Sequence, residues 1–243
     1  MMSKMSKYNW LIINSAKKLI EDSQKEKFPY FVDPKEVYGL KIQINRHVFS
    51  PKYAKGYKFF IPRIPNVKNK TVLEIGCGCG VVSLYLAKKK KAKFVLATDI
   101  NKYAVENTKI NIKLNNLKNV EARVSDVYSN IKDNEKFDFI FWNTPWAKVP
   151  HSFKKKMNWE DYGVFDVEYD AISRFILEGK KHLKPKGALL LGFGVEGADV
   201  NLIEKLIKVA KLKKTVIADD YFCPGEKVNG KLIKFRMKLY KLE

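Results

Sequence analysis

Residues 71–80 read Thr-Val-Leu-Glu-Ile-Gly-Cys-Gly-Cys-Gly, an apolar run with one acid that breaks into alternating glycines. Thr71–Gly76 has the composition of a buried strand, and the glycines free the backbone to turn tightly and approach a ligand. The spacing separates two ligand classes. A dinucleotide fingerprint needs a third glycine three residues after the second, and that position holds Val81. The loop is instead G-x-G-x-G, with Glu74 two residues before it.

Outward from the loop, strands alternate with helices. Val81–Ala87 reads as a helix, 93–99 (KFVLATD) as a strand, and Asn101 caps a helix running to about Asn115. Strands follow at 120–126 (VEARVSD) and 137–143 (FDFIFWN). A helix is expected from about Val167 to His182, closed by the turn Lys184–Gly187. A strand at 188–193 (ALLLGF) and a helix over about 200–210 complete the alternation, which predicts a doubly wound parallel sheet. The end differs. Residues 215–219 (TVIAD), a turn containing Pro224-Gly225 and Asn229-Gly230, and 231–242 read as a hairpin. In its last segment Ile233, Phe235, Met237 and Leu239 alternate with Lys234, Arg236 and Lys238, the pattern of a half-exposed antiparallel strand. Before residue 47, apolar positions at Trp10, Ile12, Ile13, Ala16, Leu19 and Ile20 fit an amphipathic helix. A short extended stretch follows at Leu40–Ile44.

In an open α/β sheet, ligands bind beyond the carboxyl ends of the strands, and the acids collect there. Asp99 ends the second strand and is placed to accept two ribose hydroxyls. Asp126 ends the third, where a carboxylate can accept an adenine amino group. Glu74 can reach an ammonium directly or through water. Ile100, Val127 and Cys77 sit beside these acids and join Gly76 and Gly78 as expected cofactor contacts.

VLEIGCGCG, followed by LATDI and VSD, resembles the class I S-adenosylmethionine-dependent methyltransferases over roughly residues 47–242. The resemblance implies a Rossmann-like, seven-stranded mixed sheet whose antiparallel seventh strand lies between the fifth and sixth. It also implies S-adenosyl-L-methionine as cofactor. The chain then divides into an N-terminal helical extension (1–46) and a methyltransferase domain (47–243). Asn143-Thr144-Pro145-Trp146 resembles the Asn-Pro-Pro-aromatic tetrad of the release-factor glutamine and the N6-adenine and N2-guanine methyltransferases, with Thr144 where Pro is usual. Their acceptor is a conjugated, weakly nucleophilic nitrogen. The Asn143 side-chain oxygen and a backbone carbonyl at Thr144 can accept its hydrogens. Pro145 keeps Thr144 extended, and Trp146 can stack on a flat substrate. Phe49, in Val48-Phe49-Ser50-Pro51, resembles the aromatic that covers the ligand in this group, and Tyr57 is a further neighbour.

Composition bounds the substrate. The 243 residues carry 47 Lys plus Arg against 26 Asp plus Glu, a net charge of +21. Arg occurs only at 46, 63, 123, 174 and 236, so the excess is lysine, a point charge rather than a base reader. The excess favours a polyanionic substrate such as RNA, while the tetrad fits a protein glutamine equally well. A small-molecule N-methyltransferase and a noncatalytic binding protein are the competing readings, and an activating partner subunit stays open. Lys88–Lys91 reads as a solvated helix end facing away from the cofactor. Lys154–Lys156 lies in an aromatic and mixed-charge insertion (147–166) over the site, where His151 is a weaker candidate base. Cys77, Cys79 and Cys223 are too few for a disulfide scaffold and poorly spaced for zinc. They fit a reducing cytoplasm, and the two loop thiols are expected to be open to oxidation. No apolar run is long enough to span a membrane.

Overall fold

The computed structural model describes residues 14, 17–223, 227–228, 231–232 and 234–243. Residues 17–24 form a helix, α1; most of the apolar positions expected in an N-terminal helix, Trp10 to Ala16, lie outside the described residues. The remaining elements are β1 (Tyr30–Val32), β2 (Ile42–Ile44), α2 (Tyr57–Phe60), β3 (Thr71–Ile75), α3 (Val81–Lys88), β4 (Phe94–Asp99), α4 (Lys102–Leu114), β5 (Val120–Val124), β6 (Phe137–Asn143), β7 (Ala147–Val149), β8 (Phe165–Val167), α5 (Asp170–Glu178), β9 (Leu183–Gly194), α6 (Val200–Val209), β10 (Lys214–Phe222), β11 (Lys227–Val228), β12 (Lys231–Leu232) and β13 (Phe235–Leu242).

The main sheet has seven strands in the order β10-β13-β9-β6-β3-β4-β5. Strands β9, β6, β3, β4 and β5 run parallel, and β13 is antiparallel to both β9 and β10. The late strand therefore lies between the fifth and sixth, as the resemblance implied. Successive side chains of a strand face opposite sides, and the core splits accordingly. Val72, Val95, Phe141, Leu190, Met237 and Leu239 pack with α3 and the N-terminal segment on one face. Leu73, Leu96, Ile140, Leu189, Leu191 and Tyr240 pack with α5 and α6 on the other.

Several boundaries differ from expectation: β5 stops at Val124, so Asp126 lies in the turn after it and not at the strand's end, and α5 ends at Glu178 and not at His182. The helix expected from about Val167 starts at Asp170, because Phe165–Val167 pairs in parallel with Ala147–Val149 and Glu168 and Tyr169 adopt left-handed backbone at φ 54° and 59°. The turn expected at Lys184–Gly187 lies within β9, whose register against β6 shifts between Phe137 and Phe139. The turn residues Pro224-Gly225 and Asn229-Gly230, and Ile233, lie outside the described residues.

An asparagine ladder ties the segment before residue 47 to the sheet. Asn107, Asn111 and Asn115 of α4 are buried. Their side-chain oxygens accept the N–H groups of Asn45 (2.7 Å), Gln43 (2.9 Å) and Lys41 (3.1 Å). Their amides return bonds to the carbonyls of Gln43 (2.8 Å from Asn107, 3.0 Å from Asn111) and Lys41 (2.7 Å from Asn115). Four residues of helix rise about 6 Å and two of strand about 6.6 Å, so the two periods stay in step. The helix face thus serves β2 as a neighbouring strand would. Asn111 also donates to Cys79 O at 2.9 Å.

Asn111→Leu should cost about 2–4 kcal/mol, since it strands buried backbone groups of Gln43 and Cys79. Asn134→Ala, at an exposed position, should stay within about 0.5 kcal/mol. Urea unfolding of both variants measures the difference.

Candidate active site

The carboxyl ends of β3, β4, β5 and β6 open into a cavity of about 1490 Å³. Its floor is the loop after β3, where Gly76, Gly78 and Gly80 all have positive φ (66°, 56° and 87°). The three are not equivalent. A β-carbon at Gly76 would stand 2.8 Å from Trp142 Nε1, and one at Gly80 would stand 2.9 Å from Thr108 Cγ2. One at Gly78 would meet nothing within 4 Å, so its bare α-carbon faces the cavity. A β-carbon would clash with protein at Gly76 and Gly80, although Gly76 is itself exposed on the cavity, and Gly78 leaves open space for a ligand.

Asp99 anchors the floor. Its Oδ2 accepts Gly78 N–H at 2.9 Å and its Oδ1 accepts Asn101 N–H at 2.9 Å. Burial still wins over those bonds and pushes its carboxyl up to about 6. Glu74, facing α3, is fully sequestered. Ser83 Oγ donates to Glu74 Oε2, yet desolvation raises its carboxyl to about 8. Below that pH, Glu74 is largely protonated unless a cation joins it.

Asp126 lines the cavity from the turn after β5, but its carboxylate is already engaged. Arg174 Nη2 of α5 donates to its Oδ1 at 2.9 Å, and Arg174 also pairs with Asp170 at 2.9 Å. The bridge fixes the aim of Asp126 and leaves Oδ2 as its second acceptor. Val127 beside it is a β-branched residue at φ 51°, a strained conformation for such a side chain. Ser125 Oγ holds the turn, donating to Val127 O at 2.9 Å and accepting Asn130 N–H at 3.1 Å.

The tetrad divides. Asn143, Pro145 and Trp146 line the cavity; Thr144 does not. Thr144 is buried, and its N–H (2.9 Å) and Oγ1 (3.0 Å) both donate to Gly192 O, which locks the end of β6 to β9. Asn143 Oδ1 is buried and has no hydrogen-bond partner. Trp146 is wedged over Gly194, where a β-carbon would stand 3.2 Å from its ring, and its ring meets Phe235 edge-on at 5.4 Å. Its stacking face is set by protein packing.

A roof crosses this end of the sheet. Phe49 packs against Gly163 of the 147–166 segment, with 3.7 Å from Phe49 Cγ to a β-carbon built there. His47 Nδ1 lies 3.0 Å from the buried Glu160 Oε1, and His47 O accepts Asn101 Nδ2 at 2.7 Å. Ile100, Tyr57, His151 and Lys154 also line the cavity, and Lys155 and Lys156 complete the exposed end of that short helix. Charges of both signs line the cavity: Asp22, Glu168 and Asp170 with Lys18, Lys52 and Lys154.

Cys77 and Cys79 are buried. Desolvation pushes the Cys79 thiol to about 12 and Cys77 well above its usual range. Burial and a small thiolate fraction argue against the expected sensitivity to oxidation, because the reactive form is the thiolate. Among the described residues no cluster of three or more His, Cys, Asp or Glu could hold a metal, and no helix is long and apolar enough to cross a membrane.

The sequence reading missed Ser83, Arg174, Tyr169 and the His47–Glu160 pair. Only Arg174 carried a signal, as one of few arginines in a lysine-rich chain. Tyr169 is buried in left-handed backbone. Its hydroxyl accepts Asp199 N–H at 3.0 Å and lies 3.3 Å from Trp146 O, which steadies the end of the tetrad.

A family model for the methyltransferase small domain matches residues 39–215. A putative protein N5-glutamine methyltransferase of Methanocaldococcus jannaschii is 37% identical over 157 residues, covering 63% of this chain and 76% of that one. A ribosomal RNA small subunit methyltransferase C of Psychromonas ingrahamii is 33% identical over 137 residues, covering 56% of this chain but only 34% of its own length. Among solved structures, a methyltransferase from Pyrococcus furiosus aligns with TM-score 0.60 at 22% identity, over 86% of this chain and 91% of that one. M. jannaschii TYW2 in complex with AdoMet aligns with TM-score 0.57 at 16% identity, over 90% and 87%; both show the same fold. The chain belongs to the methyltransferase small-domain family and is a class I methyltransferase.

The Glu74 carboxyl sets a pH dependence. Between pH 6.5 and 8 the unfolded chain has released this proton while the folded chain still holds part of it. Without ligand, stability should therefore fall as pH rises, by at most about 1.4 kcal/mol per pH unit. Glu74→Gln should flatten the slope in that window, measured by urea unfolding at fixed ionic strength.

Proposed function

We propose that this chain transfers the methyl group of S-adenosyl-L-methionine to a planar amide or amino nitrogen of a macromolecule. The observation that carries the reading is Asn143, which lines the cavity and whose Oδ1 is buried without a partner. An acceptor stranded without a donor costs about 1–3 kcal/mol. A substrate N–H removes that cost.

The cavity fits the sulfonium cofactor. S-adenosyl-L-methionine supplies an electrophilic methyl group when bound. Gly76, Cys77 and Gly78 would line its amino-acid end, with the open α-carbon of Gly78 allowing close approach. Glu74 would ionise against the ammonium. Asp99 and Ile100 would hold the ribose, and Asp126, steadied by Arg174, would take the adenine amino group with Val127 alongside. Phe49 would cover the ligand from the roof.

Asn143 would accept a hydrogen of the substrate nitrogen through its side-chain oxygen, while Thr144, off the cavity wall, holds the backbone behind it. This points its lone pair toward the methyl group and favours the positive charge that develops. The bonds from Thr144 to Gly192 O fix the backbone beside Asn143. No strong base is required, since the methylated nitrogen releases its proton afterwards. Pro145 and Trp146 shape the flat slot.

A protein glutamine is the leading acceptor. The archaeal relative supports it, and so do the mixed charges at the mouth, which do not select a polyanion. An RNA base is the second reading, favoured by the net charge of +21. The N-terminal segment 1–46 serves the substrate side, as Lys18, Leu19 and Asp22 line the mouth. Three cysteines without a disulfide framework fit work in the cytoplasm.

Asn143→Ala should keep cofactor-induced thermal stabilisation and lose at least about 100-fold in transfer rate. Labelled methyl groups incorporated into a cell extract test the acceptor: protease-sensitive label supports glutamine, and ribonuclease-sensitive label moves the reading to RNA. An unchanged rate in Asn143→Ala removes the planar-nitrogen mechanism.

A further inference from the structure

The charge excess does not gather at the cavity. Each of the five parallel strands is entered from a lysine: Lys181 before β9, Lys136 before β6, Lys70 before β3, Lys93 before β4 and Lys118 before β5. All five are exposed. Because these strands are parallel and adjacent, the lysines share the edge of the sheet opposite the cofactor.

Local bonds join them into one row. Lys136 Nζ donates to Lys181 O. Lys184 (3.1 Å) and Lys70 (3.5 Å) both pair with Asp138. Lys93 N–H donates to Lys70 O at 2.8 Å, and Asn69 N–H to Lys91 O at 3.0 Å. Next to Lys118, Asn119 Nδ2 donates to Ala92 O at 2.8 Å. Five strands spaced by about 4.8 Å give a row about 19 Å long. The strand spacing is shorter than the Debye length of about 8–10 Å, so the like charges of the row add in their attraction for a polyanion. Asp138 pairs with one lysine of the row, Lys70, and with Lys184 beside it, so it does not neutralise the row.

We propose that this lysine row is a docking surface for the phosphate backbone of RNA, separate from the methyl-transfer cavity and independent of which nitrogen is methylated. The row is linear and cationic, which fits a strand of regularly spaced phosphates. It holds lysine rather than arginine, so it binds phosphate as point charges and does not read bases. The exposed aromatic rings Phe31, Tyr103, Trp159 and Tyr221 stand away from this edge. Stacking on unpaired bases and insertion into a bilayer are therefore not what it offers. The ribose pucker of A-form RNA brings successive phosphates closer together than in B-form DNA, nearer to the strand spacing of the sheet.

The test is fluorescence anisotropy of the full chain with a labelled 20-base-pair RNA duplex across a salt series. One variant carries Lys70→Gln, Lys93→Gln, Lys118→Gln, Lys136→Gln and Lys181→Gln. A control of equal charge, placed away from that edge, carries Lys25→Gln, Lys102→Gln, Lys109→Gln, Lys155→Gln and Lys156→Gln, all exposed. The row variant should lose at least about tenfold in affinity at 0.1 M salt, and its slope of log K against log salt should shrink by about 3–5. The control should stay close to the parent. Equal loss in the control would reduce the effect to net charge and overturn the proposal. Equal or tighter binding of a DNA duplex, of phosphatidylserine vesicles or of polyglutamate would overturn the assignment to RNA. Circular dichroism and cofactor-induced thermal stabilisation of the row variant show that it folds. Its methyl transfer is measured separately, so failure of the docking surface and failure of the methyltransferase reading are distinguishable.

Discussion

The bond from the Gly78 N–H to the Asp99 carboxylate organises the functional end of this molecule. One side chain holds the loop after β3 against the end of β4, and its other oxygen sets the backbone that enters α4. The loop follows this path because three glycines accept positive φ, which costs any other L residue about 1–2 kcal/mol. The position of α3 follows from the last of those glycines, and with α3 comes Ser83, the hydrogen-bond donor to Glu74. Burial of the two acids keeps both carboxyls above their ordinary range. The floor is thus a low-dielectric, acid-lined surface that a cationic ligand would bring closer to its ionised state.

The roof rests on a different device. β2 has no room in the main sheet, and its backbone groups would be stranded against α4 without the asparagine ladder. Asn107, Asn111 and Asn115 supply those bonds at the helical repeat that matches a strand. This carries the chain onward to His47 and Phe49, which meet Glu160 and Gly163 of the segment after β6. The cavity is bounded by two stretches far apart in sequence, which meet at the His47–Glu160 contact and where Phe49 packs on Gly163.

Charge is distributed by topology. Carboxylates concentrate at the carboxyl ends of the parallel strands, where backbone N–H groups and Arg174 support them. Lysines concentrate at the opposite edge, where the strands begin and the helices end. Cations are favoured near helix C-termini, as at Lys88 of α3, and the doubly wound topology brings those termini to one side. Net charge alone therefore says little about what enters the active site.

The alternation of strands and helices, the G-x-G-x-G loop and the antiparallel end were all legible in the sequence, because period and spacing report backbone geometry directly. So were the positions of Glu74, Asp99, Asp126 and Asn143, since residues at the ends of parallel strands must converge. The start of α5 was not legible: left-handed Glu168 and Tyr169 and the short β7–β8 pair depend on contacts across the roof. Nor could the sequence separate Asn143 from Thr144. One lines the cavity with its side-chain oxygen unpaired and the other turns inward to Gly192, a choice made by where β9 lies. The sequence by itself determined which backbone conformations each segment could adopt. Only the tertiary structure decided which polar groups found partners, because burial and pairing are set by neighbours distant in the chain.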